Sequence, residues 1–233
     1  MSGDLVYVHY ARIEDMQKLK KLGISVEGKI CMARYGKIYR GNKLKHCQDA
    51  GALGIIFFSD PADVAIQGTE PENVYPNTIF LPGSGVQRGS TLLEAGDPLS
   101  PDWASIPNAH RLEPEEITHL PKIPAQPIGY DDAKVLLEHM GGEKVPPEWQ
   151  GGINITYKLG GVMAKEGYKV RVTTHNYFGT RVSIFLCSLP SIPILTSCFC
   201  RKVAMSLDMS EVLWNRIGMS CCPITGMLGD MEL

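Results

Sequence analysis

Basic side chains gather around one glycine turn near the start of the sequence. Five of them lie within twelve residues: Arg34, Lys37, Arg40, Lys43 and Lys45. One interpretation is a solvated surface at the start of a helix. The other is an anion site, because the planar guanidinium of Arg40 can hold a carboxylate by two parallel hydrogen bonds. The residue types alone leave both interpretations open.

Residues that could carry catalysis do not form a recognisable centre. A zinc peptidase needs three or more clustered His, Asp, Glu or Cys ligands and a carboxylate base. The six histidines form no HExxH motif. Cys198, Cys200, Cys221 and Cys222 could imitate a four-thiolate site, but strong zinc sites use CxxC spacing. The sequence also lacks a GxSxG elbow, a P-loop and a dinucleotide-binding glycine motif, so we predict no zinc and no catalytic residue.

Composition excludes some partners and indicates an environment. The net charge of −2 creates no overall field that would attract nucleic acid. The first fifteen residues contain no basic segment followed by an apolar run, so they predict no signal peptide. Asn154 begins an N-glycosylation sequon with Thr156, a motif compatible with an extracellular protein. Cys31 and Cys47 are predicted to be free buried thiols.

Short periodic segments must position these residues. Strands are predicted at 5–10, 29–34 and 55–58, with helices starting near Ile13 and Arg40 between them. Short connections in this order predict an open sheet with helices packed on it. Arg40 would then lie where the second helix begins, directly after the second strand.

The middle of the chain is rich in proline and glycine. Residues 61–127 predict long surface loops. A helix follows, capped by Asp131 or Asp132 and ended by Gly141 and Gly142, and then strands at 153–158 and 168–174. The predicted fold class is α+β, with a mixed β-sheet, a few helices, long loops and a disordered C-terminal tail.

Five long motifs resemble one known family, in the family's order. They are GDLVYVHYARIEDMQKL, GKICMARYGKIYRGNKLKHCQDAGALGIIFFSDPAD, LPGSGVQRGS, AGDPLSP and IPAQPIGYDDAKVLLEHMGG. They closely resemble the protease-associated (apical) domain of the glutamate carboxypeptidase II family. This family includes the N-acetylated alpha-linked acidic dipeptidases, their like proteins and the transferrin receptors. The resemblance covers residues 3–181.

The resemblance implies a function for the parent protein. Family members are type II membrane glycoproteins and homodimers, with two zinc ions and one calcium ion. Their peptidase domain cleaves acidic or other C-terminal residues from peptides and acidic dipeptides, and the apical domain forms a lid over the substrate cleft.

Individual residues carry over by position. Arg40, in YRGNK, matches the arginine that binds the substrate's terminal carboxylate. Ser90, in VQRGS, stands where glutamate-specific members have a substrate-contacting asparagine. Ser100 and Trp103 stand where the family has a threonine and a tyrosine that help to bind calcium. The family's zinc ligands have no counterpart in this sequence.

The resemblance stops at Arg181, and the tail differs in character. The run 182–200 is uncharged, but Pro190 and Pro193 argue against a transmembrane helix. Val182-Ser183 can be encoded by GTGAGT, the usual start of an intron. We therefore predict that 182–233 is a non-homologous, disordered tail made from a translated intron and a frame-shifted exon.

Residues 1–181 are thus predicted to be an incomplete protease-associated domain without enzyme activity, from a truncated product. The alternative is a stand-alone module that binds peptides or a partner. Without the parent's membrane anchor and signal, we expect no membrane attachment; the location of the chain is open, with the cytoplasm as one option.

Overall fold

The structure is a computed structural model that describes residues 1–94, 96–104, 106–176 and 203–209. Two compact units are distinguished within it. The larger unit includes Met1–Thr91 and Pro121–Thr173, and the smaller unit includes Leu92–Leu120. The larger unit contains all the regular elements that surround Arg40.

The first part of the larger unit alternates strands and helices, as the periodicity predicts. Its elements are β1 (Ser2–Gly3), β2 (Leu5–Tyr7), α1 (Ile13–Lys21), β3 (Ile30–Arg34), α2 (Arg40–Asp49) and β4 (Gly54–Phe58). The strands β2, β3 and β4 are parallel neighbours. Such connections between parallel strands bring α1 and α2 back across the sheet.

Later elements complete this sheet and add a second one. They are α3 (Pro61–Val64), β5 (Ala125–Ile128), α4 (Tyr130–Glu138), β6 (Val170–Asn176) and β7 (Val203–Met209), with short 3-10 helices at Pro71–Asn73, Pro114–Glu116 and Pro147–Trp149. The four-stranded sheet has the order β2-β3-β4-β5 and the three-stranded sheet the order β1-β6-β7. β1 pairs antiparallel with β6, so the fold is mixed, as the predicted fold class requires.

Two strand predictions need correction. The predicted strand 5–10 ends at Tyr7, because His9 and Ala11 adopt positive φ angles of 54° and 52° and turn the chain out of the sheet. Residues 153–158 are described by the structure but form no strand. Of these six residues, only Lys158 makes a β-bridge, an isolated one to Lys144. A hydrogen bond from Ile155 N to Ile153 O tightens this segment into a turn.

The sequence also missed β5. Pro127 argues against a strand in the sequence because proline has no backbone N–H to donate. Within sheets, proline is found mainly on edge strands. β5 is in fact the last strand of the parallel sheet and pairs with β4 on one side.

At the opposite edge of the sheet, the segment around Gly160 covers β2. Tyr7 N donates to Leu159 O and Gly161 N donates to Leu5 O. The edge strand therefore has hydrogen-bond partners on both sides, which removes an exposed edge that other chains could pair with.

Apolar side chains from both faces of the parallel sheet form the core. The strand residues Leu5, Ile30, Ile55, Ile56 and Phe58 are fully buried and pack with Leu19, Leu44 and Leu137 of the helices. The cysteines Cys31 and Cys47 belong to the same core and are free thiols, as predicted.

In the predicted tail, the structure describes only the strand β7. The predictions that the tail is disordered and that 182–200 is not a transmembrane helix otherwise concern residues outside those that the structure describes. Within the part of the chain that is described, no helix has the length and apolar character needed to cross a membrane.

Candidate functional site

Arg40 lies where the sequence predicts it, at the first position of α2. Tyr39 occupies the N-cap position of this helix. Its backbone is extended, and its side chain makes no capping hydrogen bond. The connection from β3 to α2 is only five residues long, so it brings Arg40 close to the carboxyl end of the sheet. Ligands of open α/β sheets commonly bind beyond this end of the strands.

The guanidinium of Arg40 is held between an aromatic ring and a glycine. Its Cζ lies over the Tyr39 ring, 5.2 Å from the ring centroid. On Gly89, a Cβ atom would lie 2.1 Å from Arg40 Nη2, so a larger residue at this position would require the Arg40 side chain to shift. Arg40 is half-buried, and its Nε is buried without a hydrogen-bond partner among the described residues.

Ser90 follows Gly89, so the structure brings the two predicted substrate-binding residues to the same place. The Ser90 residue is exposed, and its carbonyl oxygen accepts a 2.8 Å hydrogen bond from Tyr39 Oη. A second tyrosine, Tyr35, donates to the carbonyl of Gln87 over 2.9 Å. Arg40 and Ser90 therefore belong to one surface, formed by the start of α2 and by the segment 87–91.

The other basic residues do not join this surface as one solvated patch. Arg34 is 3% exposed and Lys43 is fully buried. Arg34 pairs with Asp63 at 2.6 Å and lies 3.6 Å from Asp60. Of the two interpretations of the basic cluster, the solvated surface is therefore wrong for Arg34 and Lys43.

A buried polar network around Asp60 was not predicted from the sequence. Asp60 caps α3 through the backbone N–H of Ala62 and accepts a 2.6 Å hydrogen bond from the backbone N–H of Gly152. It also accepts a hydrogen bond from Tyr157 Oη. Burial first, and then the negative charge of Asp60, raise the pKa of Tyr157, so its hydroxyl remains a donor. The one available signal was Ser59-Asp60-Pro61 after a buried strand, which is typical of a helix start.

The proposed calcium positions lie in the smaller unit. Ser100 is 2% exposed and donates from Oγ to the carboxylate of Asp97 over 2.9 Å. Trp103 follows one turn later and is 77% exposed, with its backbone N–H bonded to Ser100 O. Calcium takes oxygen ligands, and an indole N–H only donates. Ser100 and Asp97 can offer oxygen, whereas Trp103 does not fit, and we assign no calcium to this turn.

A zinc site would need several converging His, Cys, Asp or Glu side chains. Within residues 1–94, 96–104 and 106–176, no three His, Cys, Asp or Glu side chains come together as a metal site would require. Burial, followed by a hydrogen bond with Cys47, raises the pKa of Cys31 well above its usual value. A neutral buried thiol is a poor metal ligand and a poor nucleophile. The four cysteines of the tail lie outside the described residues.

Asn154 is exposed in the turn that replaces the predicted strand 153–158. An exposed turn is the usual setting of an N-glycosylation site. Glycosylation at Asn154 stays a prediction.

With this geometry established, comparison with known proteins identifies the domain. Residues 1–92 match the family model of the PA domain. The chain is 42% identical over 187 residues to a glutamate carboxypeptidase 2 homolog of Caenorhabditis briggsae, a match that covers 78% of the chain and 24% of that protein. It is 38% identical over 186 residues to the aminopeptidase NAALADL1 of Mus musculus, covering 78% of the chain and 25% of the relative.

Transferrin receptor protein 2 of Homo sapiens is a further relative. It is 33% identical over 178 residues, which cover 76% of the chain and 20% of the receptor. The predicted resemblance is thus confirmed: the chain carries a PA domain, and it is similar to a glutamate carboxypeptidase 2 homolog, to the aminopeptidase NAALADL1 and to transferrin receptor protein 2. The chain spans about a quarter of the length of the peptidase relatives that it matches.

Proposed function

We propose that this chain is a non-catalytic PA domain that binds the free carboxylate of a peptide through Arg40. The observation that carries the proposal is the state of the Arg40 side chain. Its guanidinium is fixed against Tyr39 and Gly89, yet its buried Nε has no partner among the described residues. A buried donor without a partner costs free energy, and a bound anion that reaches Nε would remove that cost.

The surroundings of Arg40 favour a carboxylate as that anion. A guanidinium binds a planar carboxylate by two parallel hydrogen bonds, and a partly buried setting strengthens these bonds. Stacking on Tyr39 limits the motion of the fork before binding, so less conformational entropy is lost on binding.

Ser90 supports a broad ligand class. It occupies the position of a substrate-contacting asparagine in glutamate-specific relatives, and its hydroxyl is shorter than an amide side chain. We therefore propose that the ligand is a peptide or acidic dipeptide with a free terminal carboxylate, without selection for glutamate.

In a protein as long as its relatives, this domain would act as a lid over a substrate cleft, and the rest of the protein would supply zinc and catalysis. The relatives' names, glutamate carboxypeptidase 2 homolog and aminopeptidase, support a peptide substrate. A homodimeric, membrane-anchored parent with its PA domain outside the cell belongs to the same proposal, and the exposed Asn154 sequon is compatible with it.

The test compares two tetrapeptides that differ only at the C-terminus, one ending in a free carboxylate and the other in an amide. Each is titrated into the full chain labelled with ¹⁵N, and the affinity is measured from NMR shifts. We expect the free carboxylate to be preferred and Arg40→Gln to abolish the preference. A charged hydrogen bond contributes about 1.5–3 kcal/mol, or roughly 10- to 150-fold in affinity.

Two further variants make this test specific. Arg40→Lys keeps the charge but loses the bidentate fork, so it should retain only part of the preference. Lys20→Gln removes one positive charge from an exposed position of α1 and should change nothing. Equal affinity of the unmodified chain for the two peptides would refute the carboxylate role of Arg40.

A further inference from the structure

Two tyrosines of the β3–α2 connection hold the segment 87–91 by the same type of bond. Tyr35 Oη donates to Gln87 O over 2.9 Å, and Tyr39 Oη donates to Ser90 O over 2.8 Å. The two donors are four residues apart in sequence and the two acceptors three apart. The segment is therefore fixed at both ends by side chains from one short connection.

Each tyrosine is itself anchored on the rest of the domain. Tyr35 is 6% exposed, and its ring stacks on Phe57 of β4 with the centroids 5.3 Å apart. The Tyr39 ring lies under the guanidinium of Arg40. One tyrosine thus connects the segment to the core, and the other connects it to the residue that we propose binds carboxylate.

The segment 87–91 lies close to the start of α2. A Cβ atom on Gly41 would lie 2.8 Å from Thr91 O, and one on Gly89 would lie 2.1 Å from Arg40 Nη2. The segment therefore contacts α2 at both of these glycines. If it moved away, Arg40 would lose one of the two walls that keep its side chain in place.

The Tyr35 hydroxyl remains a donor over the physiological pH range. Burial raises the pKa of Tyr35 to about 12, although the nearby charge of Arg40 opposes this rise.

We infer that Tyr35 and Tyr39 are positioning residues, which hold the segment 87–91 against α2 and so keep the guanidinium of Arg40 oriented toward a carboxylate. This inference rests on the proposed function of Arg40. Neither hydroxyl needs to contact the ligand in this role.

The test uses Tyr35→Phe, Tyr39→Phe and the double variant in the full chain. Each substitution removes one hydroxyl and keeps the ring, so the packing on Phe57 and on Arg40 is retained. Two quantities are measured: the backbone motion of residues 87–91 by ¹⁵N NMR relaxation, and the affinities for the free-carboxylate and amidated tetrapeptides. Tyr75→Phe, at an exposed tyrosine of another loop, is the control.

We expect faster and larger motion of 87–91 in each variant and most in the double variant. Each lost hydroxyl should weaken binding of the free-carboxylate peptide about 2- to 10-fold, the effect of one hydrogen bond, and leave the amidated peptide unaffected. Tyr75→Phe should change neither quantity.

The outcomes separate this inference from the proposed function. Unchanged motion of 87–91 in the double variant would overturn the role of the hydroxyls. Increased motion with an unchanged preference for the free carboxylate would overturn their connection to Arg40. If the unmodified chain itself shows no preference, the proposed function fails, and the relaxation data alone decide whether the tyrosines hold the segment.

Discussion

Lys43 lies in an environment that its charge disfavours. It is fully buried, and its Nζ donates 2.6 Å hydrogen bonds to the carbonyls of Tyr10 and Gly36. The ring of Tyr10 lies 5.3 Å away. Because burial disfavours the charged form, the pKa of Lys43 falls from its ordinary value of 10.5 to about 8.

This shift predicts that stability depends on pH in the alkaline range. Below pH about 8, Lys43 is protonated in both the folded and unfolded states, and the full cost of its burial remains. Between about 8 and 10.5, the unfolded chain binds more protons than the folded one, so the free energy of unfolding rises with pH. The total rise from this group is about 3 kcal/mol, because one pKa unit corresponds to about 1.4 kcal/mol.

The measurement compares the unmodified chain with Lys43→Met by urea unfolding at several pH values. Ionisation of Cys31, Tyr10 and Tyr35 in the unfolded state opposes the rise, but it is common to both proteins and cancels in the difference. We expect the unmodified chain to gain stability relative to Lys43→Met as pH rises. The same comparison with Lys20→Met, at an exposed position, should show no trend. A constant difference for Lys43→Met would contradict the assigned pKa.

Sequence predicted the position of Arg40 but not the burial of Lys43. A helix start after a strand follows from local patterns, so Arg40 could be placed at the beginning of α2. The burial of Lys43 depends on the loop at Tyr10 and the turn at Gly36, which meet only in the folded chain. The network of Asp60 could not be predicted for the same reason, because its partner Gly152 is 92 residues away in the sequence.

At the scale of elements, the edge of β2 depends on one glycine. Gly160 has a φ of +79° and forms an antiparallel bridge with Val6. A Cβ atom at this position would lie 2.3 Å from Leu5 O. Gly160 therefore meets two requirements: a left-handed backbone and close contact with the strand.

A comparison of Gly160 with Gly167 can separate the effect of the left-handed backbone from the effect of the close contact. Gly167 has a similar φ of +82°, but no described atom outside its own chain neighbours lies within 4 Å of the place that a methyl group would take. Gly167→Ala should cost about 1–2 kcal/mol for the left-handed backbone alone. Gly160→Ala should cost about 1–3 kcal/mol more, because the methyl group overlaps the strand. Urea unfolding of both variants measures this difference, and equal losses of stability would mean that the contact with β2 is unimportant.

Elements with strong periodicity were predictable, and those defined by distant contacts were not. The series from β2 to β4 has apolar strands and helices with clear ends, such as Gly23 with its φ of +72° after α1. In contrast, INITYK resembles a strand but pairs with no strand among the described residues and folds into turns. Asp131 and Asp132 lie in the first turn of α4, where negative charge is favourable, while Gly129 is the N-cap.

At the scale of the whole molecule, the PA domain was predictable because several long motifs occur in family order. The smaller unit has weak periodicity and many prolines, so its sequence predicted only loops. The chain spans about a quarter of its peptidase relatives, and the remaining length of such proteins is where we place catalysis.

If catalysis lies outside the PA domain, the full chain should hydrolyse no peptide and hold no stoichiometric zinc at neutral pH. A zinc site needs three or four converging ligands, and the described residues bring no such group together. Elemental analysis of the purified chain and release of terminal residues from test peptides measure the two parts of the prediction. The mouse aminopeptidase NAALADL1, assayed alongside, is the positive control suggested by its name.

A control variant tests whether any zinc found is bound by the cysteines of the tail. A variant with serine at Cys198, Cys200, Cys221 and Cys222 removes the four thiolates that the sequence offers as an alternative site. Zinc that is present in the unmodified chain and lost in this variant would identify a thiolate site, because serine is a much weaker zinc ligand than cysteine. About two zinc ions per chain together with peptide turnover would instead mean that catalysis lies within this chain, and the proposal of an accessory domain would be wrong.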